Sequence, residues 1–191
     1  MDANSFEKVE ITSPTDLRTW LAEHHAREEG VWLVTYKKAV PAKYVDRWSV
    51  LDELLAFGWI DGRRMKLDEE RTMQLITPRR VEHWSKTYKD RIAKLEAEGR
   101  MAEPGRAAVR RGKASGLWNF LDDVDALLQP EDLKVALAKN ETAEAFFNGL
   151  PPAAMRFALR WLKLAKGADT RARRIEKIVR LSGEGKRVPG S

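Results

Sequence analysis

The six residues FGWIDG, at positions 57–62, are the stretch from which the fold of this chain can be worked out. They combine two aromatic rings, two glycines and one carboxylate. Sequence typical of an apolar helix precedes them, and sequence typical of a β-hairpin follows them. Gly58 is placed to end the helix, and Trp59 then begins a strand. We therefore interpret this hexapeptide as the hinge of a small domain and as the wall of a pocket.

Three strands are predicted on either side of this hinge, over Val31–Tyr36, Trp59–Lys66 and Arg71–Thr77. The first is apolar on both faces, which is typical of a central strand that is covered on each side or that faces a pocket. Pro78 ends the last strand because proline has no N–H to donate. Residues 1–12 show no clear pattern and are interpreted as a short leading strand or an arm. The predicted fold class is α+β, with a small three-stranded, mostly antiparallel sheet packed with helices.

Capping sequences predict where the first two helices begin. Ser13 and Asp16 have the spacing of a capping box, in which each side chain bonds the backbone N–H of the other residue. Ser49 and Asp52 have the same spacing ahead of the helix that Gly58 ends. Gly30 stands where the first helix would end in a left-handed residue.

The chain is predicted to contain two domains. Residues 1–115 form the α+β domain, and residues 116–191 form an all-helical, basic C-terminal module that could pack with it as one unit. A loop at residues 114–116 is the predicted boundary. From residue 117 onward the apolar spacing is helical throughout.

Positive charge is concentrated in the last fifth of the chain. Residues 151–191 hold 11 Lys and Arg against 3 Asp and Glu, a net +8, whereas residues 1–150 hold 24 against 26, a net −2. Such an asymmetry favours an anionic partner at the C-terminal helices, although a solvated basic face has the same composition. If the partner is nucleic acid, the predicted contacts are Arg156, Arg160, Lys163, Arg173, Lys177 and Arg180.

Several classes of site are excluded or disfavoured by the sequence. The chain has no cysteine, so it has neither disulfides nor thiolate metal sites. Its three histidines are not spaced as a metal motif, and we predict no metal and no cofactor. The bulky side chains of residues 57–62 do not suit a phosphate-binding loop.

The compartment is predicted from what the chain does not contain. No apolar run approaches the roughly 18 residues of a membrane span. The chain opens with the acidic sequence Met1–Asn4, and no apolar segment typical of a signal peptide follows it. We therefore expect a cytoplasmic protein.

Asp61 is the strongest candidate for a functional residue. Neighbouring indole rings would partly desolvate its carboxylate, and such a group can act as an acid or base or can orient a ligand. The alternative is a strand-end aspartate that bonds backbone N–H groups and an arginine. The predicted ligand site is lined by Trp32, Lys37, Trp59, Asp61, Arg79 and Trp84.

These motifs resemble the bacteriocin-protection family known as YdeI/OmpD-associated. The matching segments are GVWL at 30–33, KK at 37–38, FGWIDG at 57–62, TPRR at 77–80, WS at 84–85, GRM at 99–101, PG at 104–105, FNGLP at 147–151, Trp161, and Thr170, Arg171, Arg174 and Ile175. The resemblance implies a bacterial cytoplasmic protein linked to envelope stress or bacteriocin tolerance. It implies no established reaction.

Three functional hypotheses follow from the sequence. The first is a stress-tolerance protein that binds a small ligand or a protein partner at the aromatic, charged pocket. The second is nucleic-acid binding by the basic C-terminal helices. The third is an unrecognised enzyme that uses Asp61 as its acid or base, so whether the chain is an enzyme is left open.

Overall fold

The computed structural model describes residues 6–80 and 83–189. Residues 1–5, on which the expectation of no signal peptide rests, lie outside this range. The chain folds into two compact units, Met1–Asn119 (unit 1) and Phe120–Ser191 (unit 2). The described part of unit 1 contains strands and helices, whereas that of unit 2 contains helices and turns.

One four-stranded sheet lies in unit 1. Its strands are β1 (Lys8–Glu10), β2 (Val31–Tyr36), β3 (Trp59–Lys66) and β4 (Arg71–Pro78). The strand order is β1-β2-β4-β3, in which β1 is parallel to β2 and the other two pairings are antiparallel. The predicted three-stranded sheet is therefore incomplete, since β1 adds a parallel edge strand. Of the two interpretations of residues 1–12, a short leading strand or an arm, the first agrees with β1, although its three residues are too few for an alternating apolar pattern to place it in the sheet.

Four helices of unit 1 share a core with the sheet, of which two lie in connections between strands and two follow the last strand. They are α1 (Pro14–His24), α2 (Arg47–Ala56), α3 (Lys86–Ala97) and α4 (Glu103–Ala114), with 3-10 turns at Pro41–Lys43 and Leu117–Asn119. Helix α1 connects the parallel strands β1 and β2, which need a crossover rather than a tight turn. The α+β class predicted from the sequence is confirmed.

The capping box of α1 is confirmed. Asp16 N–H donates to Ser13 Oγ at 3.1 Å, and Ser13 N–H donates back to Asp16 Oδ2 at 3.1 Å. The predicted end of this helix is wrong, because α1 ends at His24 and Gly30 is not left-handed. A Cβ atom at position 30 would lie 2.7 Å from Ile76 O, so Gly30 lets β2 begin against β4.

The predicted start of α2 is also wrong. Asp46, rather than Ser49, is the N-cap, and its carboxylate accepts the backbone N–H groups of Trp48 and Ser49 at 2.9 and 3.2 Å. Asp52 is not a capping residue but lies on the buried side of the helix, where Arg91 donates to it at 2.5 Å. Asp46 and Ser49 have the same spacing as the predicted pair, Ser49 and Asp52. Spacing alone therefore did not identify the pair at which the helix begins.

The hinge at the end of α2 has the conformation that its glycine allows. Gly58 has a φ of +72°, which is a left-handed backbone that residues with a Cβ rarely adopt. Its carbonyl accepts Arg79 N–H at 2.9 Å, and this bond ties the end of α2 to the end of β4. The interpretation of residues 57–62 as a helix-to-strand hinge agrees with this geometry.

The two faces of the sheet pack against different groups of side chains. Val31, Leu33, Trp59 and Ile76 face the helices and join the main core of unit 1. The opposite face carries a smaller cluster made by Trp32, Val34 and Met73, with Phe6, Leu67 and Leu75 against it. Strand β2 is buried along its whole length, as its two apolar faces predict.

Unit 2 has a core of its own, formed by five helices among its described residues. They are α5 (Asp122–Asp125), α6 (Glu131–Leu137), α7 (Glu141–Asn148), α8 (Pro152–Lys163) and α9 (Ala168–Gly183). Leu133, Phe147, Leu162 and Ile178 are almost completely buried between them. None of the described helices in either unit combines the length and the apolar character that crossing a membrane requires.

Candidate functional site

A cavity of about 210 Å³ opens between the sheet and the first turns of α2. Its lining residues are Arg47, Val50, Leu51, Asp61, Arg64 and Gln74. Helix α2 supplies the first three, β3 supplies Asp61 and Arg64, and β4 supplies Gln74. The cavity therefore has two apolar side chains on the helix side, and two cations, one carboxylate and one amide.

A β-bulge in β3 places Asp61 and Arg64 on the same face of the sheet. Asp61 pairs with Ile76 and Arg64 pairs with Gln74, so Gly62 and Arg63 together oppose Leu75. In a regular strand, residues three apart point to opposite faces. The extra residue of the bulge offsets this alternation, so the side chains of Asp61 and Arg64 lie on one face of the sheet and both line the cavity. Bulges of this kind are common beside functional sites because they redirect a side chain.

Asp61 is held by two side chains, neither of which is cationic. Tyr88 Oη donates to Asp61 Oδ1 at 2.5 Å, and Gln74 Nε2 donates to Asp61 Oδ2 at 3.3 Å. Arg64 Nη2 donates to Gln74 Oε1 at 2.7 Å, and this bond fixes the orientation of the Gln74 amide. A carboxylate has about four lone-pair positions, so Asp61 keeps acceptor capacity towards the cavity that it lines.

Tyr88, which donates to Asp61, also lies near Arg79. Arg79 packs against Trp84, and both are predicted site residues. The Arg79 guanidinium carbon lies 3.6 Å from the centroid of the Trp84 ring and 5.4 Å from that of Tyr88. Arg79 also donates to the carbonyl of His83 at 2.6 Å. Arg79 and Trp84 are both buried, so they support the residue that holds Asp61 rather than line the cavity.

The other predicted site residues have different places. Trp59 lies on the same face as Asp61, but it is completely buried in the core and donates its indole N–H to His25 O at 3.2 Å. Trp32 lies on the opposite face of the sheet, in the smaller cluster. Lys37 donates to the carbonyls of Asp68 and Glu69 at the tip of the β3–β4 hairpin. Of the six, Asp61 alone is among the residues that line the cavity.

A wider groove of about 500 Å³ shares Arg47 and Arg64 with the cavity. Tyr36, Lys38, Tyr44 and Trp48 are among its other lining residues. The Arg47 guanidinium carbon lies 4.5 Å from the Trp48 ring centroid, and Lys38 Nζ lies 5.9 Å from that of Tyr44. The cavity thus adjoins a larger aromatic and cationic groove.

Asp46, whose carboxylate also lines this groove, is the N-cap of α2. The hydroxyl of Ser49 bonds to Asp46, and with the two backbone N–H donors it holds the pKa of Asp46 below its ordinary value. Asp46 therefore stays ionised and caps α2. The backbone N–H groups at the start of α2 are satisfied by this cap rather than left for a ligand.

The six basic residues predicted to contact nucleic acid lie on or near helices α8 and α9 of unit 2. Lys163 is paired with Asp123, and Arg180 is paired with Glu184 at 2.8 Å. Lys177 lies 5.9 Å from the ring centroid of the half-buried Trp161. The other three, Arg156, Arg160 and Arg173, are at least partly exposed. Part of the basic face is therefore neutralised by neighbouring acids.

Sequence reasoning missed Arg47, Arg64, Gln74 and Tyr88 as site residues. Two signals in the sequence pointed to Arg64 and Gln74, and neither concerns Arg47 or Tyr88. Gly62 inside a strand is typical of a bulge, and a bulge changes which side chains share a face. Gln74 is an amide among the apolar residues of β4, and a buried amide needs partners.

Metal ligands are not grouped in the described residues. Across 6–80 and 83–189, no three His, Asp or Glu side chains are close enough together to hold an ion.

Fold and site together define a two-unit protein whose α+β unit carries a small charged cavity at a β-bulge. A family model described as Domain of unknown function (DUF8412) matches residues 9–108, which are 100 of the 191 residues. The chain belongs to this family. The matched segment contains every residue that lines the cavity.

A second family model, described as Bacteriocin-protection, YdeI or OmpD-Associated, matches residues 128–185 in unit 2. This match confirms the family that the sequence motifs resemble. The motifs around residues 30–33, 57–62 and 77–80 fall inside the first match instead. No curated protein and no solved structure matches the chain.

Proposed function

We propose that the protein binds a small polar ligand in the cavity lined by Asp61, as part of a bacterial tolerance response to bacteriocins or envelope stress. The observation that supports this proposal most directly is the bulge that turns Asp61 and Arg64 into one cavity. A carboxylate and a guanidinium on the same wall offer an acceptor and a donor to one ligand. The family match in unit 2 supports the link to bacteriocin protection. The same family resemblance is our reason for placing this action in the cytoplasm.

Binding is the activity that these contacts support best. Asp61 opens onto the cavity, as an acid or base would, but its hydrogen bonds come from Tyr88 and Gln74. Among the described residues, those that line the cavity include no Ser, Lys or His that could serve as a nucleophile or as a second proton-transfer group. A held carboxylate with free acceptor capacity is what ligand orientation requires.

Nucleic-acid binding has less structural support. Lys163 and Arg180, two of its six predicted contacts, are engaged by acids of unit 2. Each phosphate contact that is lost removes part of the counterion release on which such binding depends. The ligand proposal rests on a cavity, whereas this alternative rests on surface charge.

A thermal-shift screen of small polar compounds on the wild type and on Asp61→Asn tests the proposal. Asn keeps the shape of the side chain and removes its charge, so the melting temperature without ligand should stay within about 2–4 °C of the wild-type value, the change that roughly 1 kcal/mol causes in a chain of this length. Compounds that stabilise the wild type should lose their effect on the variant. Protection of a deletion strain against bacteriocin should be lost in parallel.

Glu69→Gln is the matched control, because Glu69 is an exposed carboxylate on the same hairpin, outside the cavity. This variant should keep both the ligand response and the protection. Equal responses from the wild type and from Asp61→Asn would contradict the proposal. A collapse of the melting temperature in Asp61→Asn would assign this residue a structural role instead.

A further inference from the structure

The arginines that line the cavity differ from most other arginines of unit 1. Arginines with a carboxylate partner are Arg18, Arg27, Arg71, Arg91, Arg100, Arg106 and Arg110. Arg64 donates only to the neutral Gln74 amide, and Arg47 lies against the Trp48 ring. Within the described residues, neither forms an ion pair. Both are exposed at the mouth of the same cavity.

The charges that line the cavity do not balance. Arg47 and Arg64 contribute two positive charges and Asp61 contributes one negative charge, which leaves a net +1. Lys38 lines the adjoining groove, where its ammonium group lies over the Tyr44 ring. The ring does not neutralise this charge, so Lys38 adds to the positive potential. A ligand that fits the lining therefore carries one negative charge for the arginines. It also carries a hydrogen-bond donor for Asp61.

We propose that the cavity takes a small carboxylate that also bears a hydroxyl or an amino group. This inference rests on the proposed ligand-binding function and specifies the ligand class. The carboxylate bonds to Arg64 and Arg47, since a guanidinium presents two parallel N–H groups to two carboxylate oxygens. The hydroxyl or ammonium donates to Asp61, whose two protein contacts leave lone pairs free. Val50 and Leu51 cover the carbon skeleton between the two ends.

A phosphate group fits the same lining less well. It carries about −1.5 to −2 at neutral pH, which exceeds the net +1 of the lining. Asp61 would repel the excess charge. Phosphate sites also commonly use the N–H groups at a helix start, and Asp46 already occupies those of α2. The geometry favours a monoanion.

The volume of the cavity sets the size of the ligand. It measures about 210 Å³, below the ~300–1,000 Å³ of pockets that hold drug-sized molecules. A hydroxy acid or an amino acid of a few carbons is of the appropriate size. Larger aromatic acids would have to extend into the groove towards Tyr44 and Trp48.

The test is an NMR titration of the whole protein at fixed ionic strength, with the Gln74 side-chain amide as reporter. Lactate and glutamate are the positive probes. Propionate lacks the donor, lactamide lacks the charge, and inorganic phosphate is the comparison that carries on average more than one negative charge at neutral pH. Lactate or glutamate should bind about tenfold more tightly than propionate, since one hydrogen bond to a charged group is at stake. Lactamide and phosphate should bind more weakly than either positive probe.

Arg64→Ala and Arg63→Ala form a matched pair of variants. They are adjacent in β3, but Arg63 lies over Trp32 on the opposite face of the sheet. Arg64→Ala should weaken the binding of lactate or glutamate about tenfold or more, whereas Arg63→Ala should leave it unchanged. Asp61→Asn should reduce the preference for lactate over propionate.

Three results would overturn the assignment of the ligand class. They are binding of lactamide as tight as that of lactate, tighter binding of phosphate than of both positive probes, and equal losses in the two arginine variants. Failure of lactate and glutamate alike would also overturn it. The proposed function would survive these results if another compound stabilised the wild type and not Asp61→Asn. It would fail with the ligand class if no compound did so.

Discussion

Gln74 illustrates how one residue organises the candidate site. Gln74 is 9% exposed, and a buried amide without partners would be costly. Its oxygen accepts Arg64, and its nitrogen donates to Asp61 and to the carbonyl of Gly62. Both polar atoms of the amide are thus bonded, and Asp61 and Arg64, two of the three charged side chains that line the cavity, are held in fixed positions relative to each other.

Gly105 is required by a close contact between two helices. A Cβ atom at this position would lie 2.2 Å from Ala56 O and 2.7 Å from Leu55 O, both of which are backbone atoms at the end of α2. Gly105→Ala should therefore lower the free energy of unfolding by about 1–3 kcal/mol or more, because α4 would have to move away from α2. Chemical denaturation measures the change.

Gly149→Ala is a suitable control for this substitution. A Cβ atom there would lie 3.4 Å from Ala145 O, which is an ordinary contact, and its φ of −83° suits any residue. The control should change the free energy of unfolding by less than about 0.5 kcal/mol. Equal stability of the two variants would show that α4 does not approach α2 as closely as described.

At the scale of elements, α2 forms ion pairs with two other helices of unit 1. It carries two buried acids, Asp52 and Glu53, at 4% and 3% exposure. Arg91 of α3 pairs with Asp52, while Arg18 of α1 and Arg100 pair with Glu53 at 2.8 and 2.6 Å. Buried carboxylates are tolerated when they are paired, and here the pairs connect α2 to α1 and to α3. The helix that forms one wall of the cavity is therefore fixed on several sides.

The capping box of α1 predicts a dependence of stability on pH. The hydroxyl of Ser13, with donors from Thr12, lowers the pKa of Asp16 from 3.8 to about 2. Because the folded-state pKa is lowered, the contribution of Asp16 to stability is fully present above about pH 4. It is lost as the pH falls towards 2.

Asp16→Asn should therefore be less stable than the wild type at pH 7, by roughly 0.3–1 kcal/mol, as for a charge at an exposed helix N-terminus. The difference should shrink between pH 4 and pH 2. Urea denaturation of both proteins across this range measures it. A difference that stays constant with pH would mean that the charge of Asp16 does not contribute.

At the scale of the whole molecule, each unit has its own apolar core. The core of unit 1 lies between the sheet and its helices, and that of unit 2 lies among α5, α6, α7, α8 and α9. The candidate cavity is lined entirely by residues of unit 1, whereas the bacteriocin-protection match falls in unit 2. The candidate ligand site and the bacteriocin-protection match therefore belong to different units of the chain.

Leu133 of α6 tests the core of unit 2. It is completely buried, so Leu133→Ala should cost about 2–5 kcal/mol through lost burial and the cavity left behind. Hydrogen exchange should report this loss in residues 120–189. Val135 lies on the same helix at 51% exposure, and Val135→Ala should change stability by less than about 0.5 kcal/mol. Similar effects of the two substitutions would contradict the described core.

The sequence by itself determined the elements whose signals are local. The bounds of β2 and β3, the capping box at Ser13 and the turn at Gly58 were all predicted, because each depends on a few neighbouring residues. The start of α2 and the end of α1 were wrong, since several residues near each boundary satisfy the same local rule. The family resemblance, too, was carried by short contiguous motifs.

Only the tertiary structure decided which residues form the cavity. Asp61 was found from its place in the hexapeptide, but its partners Gln74 and Tyr88 are 13 and 27 residues away in the chain. The bulge at Gly62 and Arg63 reverses the alternation that a regular strand would have, which brings Arg64 to the face of Asp61. Gly62 signals a bulge locally, but which residues of β4 it sets opposite β3, and which helix residues pack there, depend on contacts between residues far apart in the chain.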